Sequence, residues 1–176
     1  MDSQALRKFY EGDAQVFNTL MREYQQPIYY YLYGMVGNAE DAQDLLQETF
    51  VKAYTKRKSF RGDAQIQTWL YSIAGNLAKN HLRWRSIRRF VNVEESEHLF
   101  PEDDANSTEI DEMEQELFRY VRQLPERQRS VFILKYFHGL QHQEIAHILD
   151  ISEGSSKTNF HYATKTLQEL IEEEKR

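Results

Sequence analysis

The sequence predicts an all-α protein made of two small helical domains joined by an acidic linker. Three observations carry this. Apolar residues recur every three or four positions, the period of a helix with one buried face, rather than alternating as in a strand. Glycine and proline are scarce, 7 and 3 among 176 residues, and 40% of the chain is hydrophobic, enough for a core. The periodic pattern then fails over 92–107, a tract rich in acids with one proline, which reads as a linker extended by self-repulsion. The expected division is a domain over 1–91, the linker over 92–107 and a second domain over 108–176.

The elements follow in order. Asp13 can cap a helix whose apolar face is Val16, Phe17, Leu20, Met21 and Tyr24. Pro27 restarts or kinks that helix. The tyrosine-rich run that follows turns Ile28, Tyr31, Leu32 and Met35 inward, and Gly37 ends it. Asn38 caps a long helix with Ala42, Leu45, Leu46, Thr49, Phe50 and Ala53 inward. Its outer face carries Glu40, Asp41, Asp44, Gln47, Glu48 and Lys52. The basic stretch KRKSFRGD, Lys56–Asp63, breaks the period and turns at Gly62.

A further helix from about Ala64 buries Ile66, Trp69, Leu70, Ile73, Ala74, Leu77 and His81. Its other face shows Gln67, Tyr71, Asn76, Lys79, Asn80 and Arg83, and WRSIRRF follows. Cations interleaved with aromatics suit single-stranded nucleic acid, because phosphates need charge and unstacked bases need rings.

Past the linker, Met113, Leu117, Tyr120 and Val121 form one helix. A second starts at Leu124-Pro125-Glu126, with Val131, Phe132, Leu134 and Phe137 inward. Leu140–Leu167 closes the pattern as two short helices around a tight turn. Ile145, Ala146, Ile148 and Leu149 face inward in the first, and Phe160, Ala163, Leu167 and Leu170 in the second. Ser152 is a suitable N-cap, and Glu153 favours the helix dipole. Ser155, Ser156, Lys157, Asn159 and His161 are expected to face outward. This is a helix-turn-helix, whose second helix enters a DNA major groove.

The net charge of −6 conceals a polarised chain. Lys56–Asn92 carries Lys56, Arg57, Lys58, Arg61, Lys79, Arg83, Arg85, Arg88 and Arg89 against Asp63 alone, while Glu94–Glu116 has acids and no Lys or Arg. No cysteine is present, so no disulfide or thiolate metal site is expected. His142 and His147, five apart, point to different sides of a helix, so no metal site is expected there either. No cofactor, small-molecule substrate or catalytic constellation is expected. With neither a signal-peptide-like run nor a membrane-spanning one, the expected location is cytoplasmic.

With both halves in view, the chain resembles the extracytoplasmic-function sigma factors, minimal bacterial transcription initiation factors. Asn38–Tyr54 is similar to the family's core-polymerase-binding helix, Phe60–Arg85 to its promoter-melting and −10-recognition segment, and Leu124–Leu167 to its −35-binding domain. The resemblance implies that Asp41, Asp44, Gln47 and Glu48 face core RNA polymerase. It implies that Phe60, Arg61 and Asp63 lie in a loop capturing a flipped −10 base. Asn76, Lys79, Asn80 and Arg83 would then meet the opened strand. Ser155, Ser156, Lys157, Asn159 and His161 would enter the duplex −35 groove, with Arg127 and Arg129 near its phosphates. An anti-sigma partner is implied too.

The second helix of the turn motif is less basic than is usual in that family, which predicts weaker non-specific DNA binding. Opening about ten base pairs costs on the order of 14 kcal/mol at roughly 1.4 per step. A captured base returns only about 1–3 kcal/mol, so such a chain would nucleate melting only with polymerase. Two other readings fit the residues. One is a stand-alone helix-turn-helix regulator binding as a dimer at half-sites one helical turn apart. The other is a protein-binding adaptor using the acidic helix.

Overall fold

The structure, a computed structural model, describes residues 3–60, 62, 65–91 and 112–174. The expected linker 92–107 lies outside the described residues, as do Arg61 and Asp63. The described chain is helical: α1 Ser3–Glu11, α2 Ala14–Val36, α3 Ala39–Thr55, a single 3-10 turn Arg57–Ser59, α4 Ile66–Val91, α5 Glu112–Val121, α6 Glu126–Tyr136, α7 His142–Leu149 and α8 Glu153–Glu174.

Local chemistry sets the helix ends. Asp13 Oδ1 accepts from the Gln15 and Val16 N–H groups at 2.8 and 3.2 Å, which starts α2. Gly37, at φ 75°, ends it in the left-handed conformation that glycine adopts without a Cβ penalty. Asn38 Oδ1 accepts the Asp41 N–H at 2.8 Å and opens α3. Pro27 sits inside α2, which runs through it unbroken. Packing of α2 against α3 and α4 offsets the single lost N–H bond.

The first bundle packs α2, α3 and α4 around Leu20, Ile28, Leu32, Leu46, Phe50 and Leu70. Helix α1, not anticipated from the sequence, adds Phe9 to this core. The second bundle packs α8 across α6 and α7, with α5 against α8. Arg119 of α5 bonds Glu174 near the end of α8 at 2.7 Å. Met113 departs from expectation: at 76% exposed it stands clear of this core.

The two bundles pack on each other, α6 against α2 and α7 against α4. Close approach is made possible by Gly34 of α2, over which Phe118 and Ile133 lie. The Tyr31 and Ser130 hydroxyls bond at 2.7 Å across the buried interface. Tyr33 meets Phe118 edge-on at 5.6 Å. This second contact explains why the C-terminal half of α2 is buried on more than one side, with Tyr31, Tyr33, Gly34, Met35 and Val36 all enclosed.

Candidate nucleic-acid interface

The capping and packing of α3 leave one face of it in water. Asp44, Gln47 and Glu48 are exposed on that face. Asp41 is half-buried, its Oδ2 lying 3.3 Å from His81 Nε2 of α4. Glu48 pairs with Lys52 one turn on at 2.9 Å. Val51, 65% exposed, and Tyr54, 42% exposed, continue the row at helical spacing. The sequence reading overlooked both. Their signal was an apolar residue three positions after Glu48, out of phase with the buried Leu46, Phe50 and Ala53.

The basic stretch after α3 is more structural than expected. Arg57 donates to the Tyr10 and Tyr54 carbonyls at 3.2 and 2.8 Å and lies over the Tyr54 ring. Phe60, expected to meet a flipped base, is 5% exposed. It packs against Phe9 and Trp69, ring centroids 6.2 and 5.3 Å away, and its carbonyl accepts the Tyr10 hydroxyl at 2.6 Å. An aromatic next to an arginine in a loop is also what a core anchor looks like, and here Phe60 is the anchor.

Helix α4 presents Asn76, Lys79, Asn80 and Arg83 to solvent, as expected. Tyr71, expected on that outer face, is fully buried, on the helix against which α7 packs. Asn76 and Lys79 border a crevice of about 240 Å³ between the bundles, shared with Arg127 and Asp150.

In the second bundle the turn between α7 and α8 is built as the sequence predicts. Asp150 takes φ 52°, the Ile151 N–H returns to the Ala146 carbonyl at 3.0 Å, and Ser152 Oγ accepts the Ser155 N–H at 3.0 Å. Two expected DNA contacts are corrected. Ser156 is 0% exposed and bonds His142 Nδ1 at 2.9 Å, tying α8 to α7. It lies one turn before Phe160 and so begins the inward stripe. Arg129 is half-buried and donates to the Met35, Arg122 and Leu124 carbonyls at 2.6, 2.6 and 3.1 Å. There it clamps the end of α2 to the second bundle. Burial, with Arg122 beside it, lowers its pKa.

Lys157 and His161 are exposed, Lys157 pairing with Glu153 at 2.6 Å. Ser155 and Asn159 are half-buried and bonded to each other, Asn159 Nδ2 donating to the Ser155 carbonyl at 2.8 Å. The outward row of α8 also includes Thr158, Tyr162 and Lys165, with Tyr162 53% exposed. These three were missed. Once Ser156 is assigned inward, helical phase alone points to them. Arg127 is exposed at the mouth of the crevice.

His138 sits between the bundles, its ring 5.2 Å from Tyr71 and 6.5 Å from Tyr31. Its Nε2 is buried without a hydrogen-bond partner. Burial holds its pKa down to about 4 from 6.5. The two tyrosines are pushed upward by burial and stay neutral in acid. The packed state therefore binds fewer protons than the open one between these values. Packing is favoured above pH 6.5 and loses stability as pH falls toward 4. Small-angle scattering is expected to show expansion on acidification near pH 5, and His138→Phe should blunt it. An expansion identical in the variant would assign the effect to other groups.

Two family models match the chain: sigma-70 region 2 over residues 20–88 and sigma-70 region 4 over residues 114–167. The RNA polymerase sigma-H factor of Pseudomonas aeruginosa is 36% identical across 98% of this chain and 96% of its own length. The ECF RNA polymerase sigma-E factor of Escherichia coli is 32% identical over 97% of this chain and 94% of its own. Among solved structures, CnrH in complex with the cytosolic domain of CnrY shares the fold at a TM-score of 0.73 and 18% identity, covering 96% of this chain and 95% of that one. The Bartonella quintana sigma factor RpoE, solved with the anti-sigma factor NepR, shares it at 0.69 and 24%, covering 89% and 96%.

Proposed function

Because this chain belongs to the extracytoplasmic-function sigma factors of the sigma-70 family, we propose that its two bundles divide promoter recognition between them. The chain is a non-enzymatic initiation factor that directs RNA polymerase to promoters. The domain over 1–91 binds core polymerase and opens the −10 element, 92–107 is the tether, and the domain over 108–176 reads the −35 element. The exposed row Asp44, Gln47, Glu48, extended by Val51 and Tyr54 and flanked by Asp41, meets the polymerase. Asn76, Lys79, Asn80 and Arg83 meet the opened strand, and Arg61 and Asp63 serve the same −10 element. Lys157, Thr158, His161 and Tyr162 enter the −35 groove, and Arg127 meets a nearby phosphate.

The observation that carries this reading is the ordered pair of family matches falling on two bundles that each leave a row of polar and charged side chains in water. The acidic row on α3 suits a basic partner, and the cationic row on α4 suits phosphate. The Bartonella quintana sigma factor RpoE was solved with the anti-sigma factor NepR, which supports an anti-sigma factor as a partner here. No described helix is long and apolar enough to cross a membrane. The chain works where polymerase is, in the cytoplasm.

The packed arrangement has a consequence for DNA binding. Elements centred at −10 and −35 lie about 25 base pairs apart, roughly 85 Å along a duplex at 3.4 Å each. Helix α7, packed on α4, stays close to it. The bundles must part before both elements can be read, and the packed form is the resting one. Lys157→Glu with His161→Ala is expected to weaken holoenzyme binding to a −35 duplex at least tenfold, since base contacts are worth about 1–3 kcal/mol each. Binding to core polymerase should be untouched. Equal DNA affinity in that variant would remove α8 as the reading helix.

A further inference from the structure

The two tryptophans sit in different surroundings. Trp69 packs against Phe60 and Phe9, at 5.3 and 6.1 Å between ring centroids. Trp84, near the end of α4, is 63% exposed, and Ile87 one turn on is 41% exposed. Positions 80, 83, 84 and 87 share one face of the helix, so Trp84 and Ile87 continue the row begun by Asn80 and Arg83. Arg83 and Arg88, the neighbours of Trp84 and Ile87 along the helix, are exposed too. Single exposed apolar residues are ordinary, but an indole and an isoleucine adjacent on an otherwise cationic face form a patch that invites a ligand.

Charge decides which ligand. A ring flanked by cations matches an unstacked base with its phosphates, because the base offers a π-face and the backbone offers the negative charge. An apolar protein groove would suit the indole but leave Arg83 and Arg88 beside it without a counter-charge. Resting on the assignment of α4 to the opened strand, we infer that Trp84 is a stacking platform for a base of that strand. Ile87 lies beside it, and Arg83 and Arg88 hold the adjoining phosphates. The row thereby extends a full turn beyond Arg83, and Trp84 becomes a residue that sets where the open region ends. Trp84 is 63% exposed and lies outside the buried core, so its variants are expected to leave the packed fold intact.

The test uses holoenzyme reconstituted from this chain and core polymerase. The probe is a fork-junction DNA, duplex through −35 and single-stranded at −10, from a promoter found by start-site mapping. 2-Aminopurine is placed at successive unpaired positions. Trp84→Ala is expected to weaken fork binding on the order of tenfold and to abolish the fluorescence change at one position. Trp84→Phe should restore most of both, because a smaller ring still stacks. Binding to a fully duplex −35 probe and to core polymerase should match wild type. Unchanged fork affinity in Trp84→Ala would overturn the inference, as would an equal loss on the duplex probe. Lost affinity for core would also overturn it, by making Trp84 a protein contact. If wild-type holoenzyme ignores the unpaired strand altogether, the assignment of α4 itself fails.

Discussion

Replacing Gly34 with alanine is expected to separate the two bundles while leaving each one folded. A Cβ at this position would lie 2.6 Å from Phe118 Cε1 and 2.8 Å from Ile133 Cδ1. The Phe118 ring has little room to yield. Both neighbours are fully buried, and Phe118 is stacked on Phe137 at 4.6 Å with Tyr33 against it edge-on at 5.6 Å. Within α2 the change is favourable, since alanine is a better helix former than glycine by about 1 kcal/mol. The strain therefore falls on the contact between bundles, at about 1–3 kcal/mol for an overpacked site. A coupling of that size moves an equilibrium roughly 5–150-fold.

The chain has no cysteine of its own, so Gln43→Cys and Lys165→Cys, both exposed positions, give clean dye sites on the two bundles. Energy transfer between them is expected to fall in Gly34→Ala, with helical content unchanged. Undiminished transfer together with a lowered melting temperature would mean that the strain was absorbed inside the fold and that the bundles do not part.

Reversing charge at Asp44 and Glu48 together is expected to reduce affinity for core polymerase on the order of a hundredfold or more, because like charges brought together at an interface cost several kcal/mol. The fold should not suffer. Both side chains are exposed, and Glu48 gives up only an exposed pair with Lys52, worth less than about 1 kcal/mol. Glu169→Lys, on the exposed side of α8, adds a like charge in the other bundle and serves as the control. The loss should shrink as salt rises, since exposed charges are screened beyond about 8–10 Å near physiological ionic strength. Equal affinity in the double variant and the control would place polymerase on another surface.

The helix boundaries were legible wherever one side chain does the capping. Asp13, Asn38 and Ser152 each accept the backbone N–H expected of them, and Gly37 ends its helix. The inward stripes were legible too, because a single buried face imposes one period. What failed has a common cause. A residue buried by the other bundle carries no mark of it in the local pattern. Tyr71 therefore read as outward, and Arg129 read as a phosphate contact when it caps three carbonyls at the junction. Ser156 and Phe60 failed differently. A small polar residue at a helix start and an aromatic in a basic loop look the same from sequence whether they face a groove or a core. Helix α1 escaped notice because its fully buried contribution to the core is Phe9, with Leu6 and Tyr10 only half-covered.

The most direct measurement is run-off transcription with core polymerase lacking any specificity subunit, on a template carrying a mapped promoter, with and without the purified chain. Transcripts of one defined length that depend on the added chain are the predicted result. Output that is the same without it, or the absence of any association with core, would contradict the account.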